Sequence, residues 1–116
     1  MRQQGATIVD PADIPHLGEY DNDELTVLLY EFKADLNAYL AEFALGAPVK
    51  TLSDVIDWNA HNADRELPFF GQDLLIKAQA KGDLTTQEYL DALAKCRRLA
   101  AAEGLKAVLD LSLIHI

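Results

Sequence analysis

The chain has 116 residues, half of them hydrophobic and a quarter charged, which is the size and composition of one ordinary globular domain and excludes a disordered or fibrous segment. A formal net charge of −9 argues against a nucleic-acid partner, because affinity for a phosphate backbone rests on Lys and Arg. The same acidity disfavours an anionic membrane surface, and no apolar run approaches the roughly 20 residues that a bilayer span requires.

In chain order, the first signal is Ala6-Thr7-Ile8-Val9, preceded by Gly5 and stopped by Asp10-Pro11. Its β-branched residues and clear terminators read as a short buried strand. Residues 11–23 carry two prolines, a glycine and several acids and read as a loop. Leu25, Leu28, Leu29, Phe32, Leu36, Leu40 and Phe43 then recur at spacings of three and four, which predicts one amphipathic helix over residues 23–43, ended by Gly46 and Pro48. A second helix is expected from Thr51 to about His61, with Thr51 and Asp54 forming a capping box in which Asp replaces the usual Glu.

Residues 62–69 read as a connector, followed by a third helix between Gly71 and Gly82. The last helix is expected to start at Thr85, paired with Glu88 in a capping box, and to run toward Asp110 with an interruption at Gly104. The fold class expected is therefore α/β and mostly helical, with one short strand and about four helices. A strand cannot satisfy its backbone groups alone, and nothing else before residues 111–116 reads as a strand. Its partner sheet is thus expected in sequence beyond these residues.

The ends support the same expectation. Leu111-Ser112-Leu113-Ile114-His115-Ile116 differs from the acidic, alanine-rich helix before it and matches the translation of a sequencing-library adaptor. Residues 111–116 are accordingly read as a non-native tail and residues 1–110 as part of a larger domain. Met1 to Gly5 lacks the apolar stretch of a secretory signal, and the compartment stays open. The single cysteine, Cys96, has no intrachain partner and reads as a buried or half-buried structural thiol.

Four blocks in order resemble the amidase signature family, especially its peptide-amidase-like branch. They are Gly5-Ala6-Thr7-Ile8-Val9-Asp10-Pro11, the helical run from Leu29-Tyr30-Glu31-Phe32-Lys33 to Tyr39-Leu40, then Ala47-Pro48-Val49-Lys50-Thr51-Leu52 with Val55, Ile56 and Asn59, and finally Phe70-Gly71-Gln72. The resemblance implies a mixed sheet sandwiched between helices and hydrolysis of carboxamides, with no metal or organic cofactor. It implies a nucleophilic Ser whose proton passes through a second, cis-peptide Ser to a Lys, and backbone amides holding the oxyanion. None of that apparatus maps here, since the only serines are Ser53 and Ser112 and the six glycines are scattered singly. No catalytic residue is carried over. The partners expected are the rest of the amidase domain and, in the intact enzyme, a small-molecule or peptide amide. The alternative is a stand-alone acidic helical module that pairs through its leucine stripe.

Other constellations have plainer explanations. Asp57, His61 and Asp64 would share a face of a continuous helix, yet lack a further ligand and read as a solvated face rather than a metal site. Glu31 and Asp35 flank Lys33, and Ser53, Asp57 and His61 lie on one short helix, so neither set converges as acid-base or triad chemistry requires. His16 sits in a loop beside acids. The substrate-binding candidates are Phe70 and Gln72, with Trp58, Phe69 and Asn59 nearby, because aromatic walls with a polar contact are how substrate clefts are lined.

Overall fold

The computed structural model describes residues 1–112. After a 3-10 turn, Arg2–Gln4, the chain runs extended and then looped to α1 (Asp21–Phe43), the spine of the structure. Three acids in its first turn, Asp21, Asp23 and Glu24, face the positive end of the helix dipole. Next come α2 (Leu52–His61), a single turn α3 (Ala63–Glu66), α4 (Asp73–Gln79) and α5 (Gln87–Cys96). The last continues through a π-helical stretch, Arg97–Leu105, into α6 (Lys106–Ser112). The spine α1 packs against α5, α4 and α2, and α2 also packs against α4.

The expected strand is not there. Among the described residues there is no β-strand and hence no mixed sheet, which corrects the α/β expectation to a helical fold. Thr7, Ile8 and Val9 favour an extended backbone locally, but a ladder needs a second strand and the described residues supply none. Ile8 and Val9 are accordingly left 44% and 42% exposed. The tail expected at residues 111–116 begins inside α6, and residues 113–116 lie outside the described residues. No described helix is long and apolar enough to cross a membrane.

The start of α2 forms as its sequence dictates. The Thr51 hydroxyl accepts the Asp54 backbone N–H at 3.2 Å, while the Asp54 carboxylate accepts the backbone N–H groups of Lys50 and Thr51 at 2.8 and 2.9 Å. These bonds hold the Asp54 carboxyl below its ordinary range, the Lys50 amide contributing most. At α5 the same signal misleads by two residues. Thr85 turns back to Asp83 through its hydroxyl and its backbone N–H, Thr86 becomes the N-cap, and the Glu88 carboxylate points away to Tyr30 and Lys81. A local cap loses here to tertiary partners.

Apart from Leu40, where the two faces meet, the buried face of α1 is not the leucine stripe. Asp23 pairs with Lys95 at 2.5 Å and Tyr30 donates to Glu88 at 2.6 Å. Lys33 donates to the carbonyls of Gln79 and Lys81, capping the end of α4, and Asn37 accepts the Leu52 amide at 2.8 Å. These residues follow one another at helical spacing and end at Leu40, which is buried. At 3.6 residues per turn, that face lies roughly 120° round the helix from the stripe. Leu25, Leu28, Phe32 and Phe43 on the stripe stay 42%, 55%, 43% and 68% exposed.

The result is an open body. Its radius of gyration is 20.5 Å, and its extents are 60 × 36 × 26 Å. A compact chain of about 100 residues has a radius near 13 Å. Among the described residues only Tyr30, Leu40, Leu52, Ala78, Tyr89, Ala92 and Leu99 form a buried hydrophobic set, so the core is a thin seam along α1 rather than a closed interior.

The last helix bends at Gly104, whose φ of −102° and ψ of −107° lie outside the helical region. A Cβ there would sit 2.4 Å from the Leu99 carbonyl oxygen, so glycine is required by the close approach. The N-terminal segment lies on this bend: Ile14 comes near Gly104, and His16 stands 3.9 Å from Glu103, which Arg98 holds at 2.8 Å.

Candidate functional site

The residues singled out as substrate-binding candidates lie where α2 turns into α4. Asn62 closes α2 by returning its backbone N–H to the carbonyls of Trp58 and Asn59, and its side-chain amide to Trp58 at 2.9 Å. The turn of α3 follows, and Leu67 closes it on Ala63. Pro68 then forces the chain out of helix. Phe69 and Phe70 project outward, 88% and 85% exposed, before Gln72 opens α4.

Gln72 is already engaged. Its amide nitrogen donates to the Ile56 carbonyl at 3.1 Å and its oxygen accepts from Asn59 at 3.3 Å. Asn59 and Gln72 are thus brought together as a bridge between α2 and α4, and the bridge fixes the base of the aromatic connector. Trp58 goes elsewhere. It lines a shallow groove of about 370 Å³ with Pro48, Val49, Asp57 and His61, in which neither Phe70 nor Gln72 takes part.

The connector offers two unfilled aromatic faces above a satisfied amide pair, and no nucleophile beside them. Ser53, Asp57 and His61 all lie on α2, and the His61 Nδ1 is 2.7 Å from the Asp57 backbone oxygen, within its own turn. Asn62 breaks the helix before Asp64, so the continuous face supposed for Asp57, His61 and Asp64 does not form. No group of three or more His, Cys, Asp or Glu that could hold a metal ion occurs among the described residues. Cys96 is half-buried, and desolvation together with Asp23 and Glu24 pushes its thiol above the ordinary range, which suppresses the reactive thiolate.

A second polar cluster was not legible in the sequence. Tyr30 donates to Glu88, and Lys81 donates to the other Glu88 oxygen at 2.7 Å while lying 5.2 Å from the Tyr30 ring centre. The Tyr89 ring stands 5.5 Å from that of Tyr30, and its hydroxyl donates to Glu31 at 2.9 Å. The bond to Glu88 is the main cause that raises the Tyr30 hydroxyl above the ordinary phenol value, and the bond to Glu31 does the same for Tyr89. Glu88 is lowered by Lys81 first and Tyr30 second. Each partner satisfies the other, so the cluster joins α1 to α5 and leaves no free group for proton transfer. The sole hint in the sequence was the helical spacing of Asp23, Tyr30, Lys33 and Asn37, a polar face that reads as solvated until its partners are known.

No family model matches the chain. It is 35% identical over 105 residues to a probable amidase of Arabidopsis thaliana, a match covering 86% of this chain and 20% of that protein. It is similar to the peptide amidase PAM, solved in complex with the competitive inhibitor chymostatin, with a TM-score of 0.88 and 37% identity over 97% of this chain and 23% of that one. The native peptide amidase from Stenotrophomonas maltophilia matches with a TM-score of 0.81 and 39% identity over 87% of this chain and 20% of that one. The chain therefore spans about a fifth of the length of the relatives it matches.

Proposed function

Because the chain belongs to the amidase signature family, we propose that it is a non-catalytic segment of a hydrolase that cleaves carboxamide C–N bonds. The observation that carries the reading is the close match of nearly the whole chain to about a fifth of a peptide amidase, in a segment whose Ser53 sits on one short helix with Asp57 and His61 rather than in a converging site. The Ser, cis-Ser and Lys of the family's mechanism then lie outside these residues, and this segment supplies helices that support them.

In the intact enzyme, Phe70 forms part of the substrate entrance and Gln72 positions it through the bridge to Ile56 and Asn59. The exposure of Phe70 beside a rigid amide pair supports this assignment. In a full-length enzyme carrying this segment, Phe70→Ala and Gln72→Ala should each change the ranking of amide substrates by kcat/KM. Unchanged ranking with a lowered melting temperature would remove both residues from the substrate path.

The purified 116-residue chain is expected to hydrolyse no amide. A turnover from it that serine-directed inhibitors abolish would contradict the proposal. The competing reading, a self-sufficient helical module, requires a closed core. The radius of gyration of 20.5 Å and the exposed leucine stripe weigh against it.

A further inference from the structure

The leucine stripe of α1 and the near side of α4 enclose a groove of about 330 Å³, lined by Leu25, Leu28, Leu29, Phe32, Leu74 and Leu75. All six are aliphatic or aromatic, and the groove continues along α1 into a second depression of about 430 Å³ bordered by Leu36 and Tyr39, with Glu31 and Asp35 at its edge. A contiguous apolar surface of this kind marks a place where another surface belongs. None of the described helices covers it, because α1 uses its polar face to hold α5, α4 and α2.

We infer that this groove is filled by apolar side chains from the hydrolase's own polypeptide outside residues 1–116, so that the leucine stripe is the seam joining this segment to the rest of the domain. The inference rests on the amide-hydrolase reading above. Two observations choose this occupant. The chain matches 97% of its own length but only 23% of a peptide amidase, which leaves most of such a polypeptide available to cover the face. Each copy carries a net charge of −9, and the depression that adjoins the groove is edged by Glu31 and Asp35, so a second copy would bring like charges together beside it. The same acids oppose an anionic lipid surface.

The test replaces the matched fifth of the Stenotrophomonas maltophilia peptide amidase with this chain, in a cysteine-free background that includes Cys96→Ala. Leu28→Cys and, separately, Leu74→Cys then report on the two walls of the groove through their rates of reaction with a small thiol reagent. In the folded graft both should react at least about 100-fold more slowly than in the same protein unfolded in urea, as expected for side chains covered in a cooperative structure. In the isolated chain both should react at the unfolded rate at every concentration. A graft that hydrolyses amides while both thiols react freely overturns the inference and leaves the hydrolase reading standing. Protection in the isolated chain that grows with concentration also overturns it, because a second copy is then the occupant. An unmutated graft that folds neither cooperatively nor actively sinks the hydrolase reading and the inference together.

Discussion

Leu28→Lys with Phe32→Lys is the substitution pair that probes the leucine stripe in the isolated chain. Fully burying a Leu or Phe side chain contributes roughly 1.5–3 kcal/mol. Leu28 is 55% exposed and Phe32 43%, so about half of that gain, on the order of 1 kcal/mol each, is unrealised here. Leu25, Phe43 and Leu74, exposed at 42%, 68% and 54%, add comparable amounts, and the face as a whole holds back several kcal/mol. That is a large fraction of the roughly 5–15 kcal/mol that stabilises a typical domain. Lysine is nearly as good a helix former as leucine, and at these positions each sits one turn before an acid, Glu31 or Asp35. The pair should leave α1 formed while removing the sticky face, with the net charge moving from −9 to −7 through two added cations. Far-UV circular dichroism should stay the same. Binding of a hydrophobic fluorescent dye should fall several-fold. A large loss of helicity in the variant would refute the reasoning, because it would place the stripe inside the chain's own core.

Gly104→Ala places a methyl group against the Leu99 carbonyl, at a cost of about 1–3 kcal/mol; the N-terminal segment around Ile14 should loosen, read as faster limited proteolysis there. Thr51→Ala removes the cap of α2 and should cost about 1 kcal/mol, seen as faster amide exchange over residues 53–57. Asp54 and Asp83 both have lowered carboxyl pKa values, so what they contribute is present above the ordinary value near 3.9 and lost as pH falls through the lower native value. Amide protection at the start of α2 should therefore persist at pH 5 and fail only in stronger acid, and Asp54→Asn should flatten that dependence. Tyr30 and Tyr89 are shifted the other way, so their contribution is complete below about pH 10 and disappears as pH rises through the raised value. An ultraviolet titration of the phenols should show both ionising late, and Glu88→Gln should bring Tyr30 down without moving Tyr89.

The parts of this fold that were legible in the sequence are those decided within a few residues. The spine helix, α2 with its Thr51 and Asp54 box, and the break at Gly104 all rest on periodicity or on side chains bonding to neighbouring backbone. Legibility failed where a distant partner decided the outcome. Residues 6–9 have strand-like composition but no ladder among the described residues. Thr85 and Glu88 spell a capping box, yet Tyr30, far away in sequence, takes the carboxylate together with Lys81 in the preceding loop. The leucine stripe was legible as apolar, but its pattern carried no information about what covers it. Its polar neighbour face, Asp23, Tyr30, Lys33 and Asn37, holds the described helices together instead. Of the two substrate candidates, Phe70 is exposed, whereas the engagement of Gln72 with Ile56 became visible only in three dimensions.

Small-angle X-ray scattering on the purified chain, collected directly from a sizing column, bears most closely on whether these residues close a core by themselves. An open monomeric particle with a radius of gyration near 20.5 Å is the expected result. A monodisperse particle near 13 Å that melts cooperatively would contradict it, since a closed body of that size has no uncovered seam for the remainder of a hydrolase to fill.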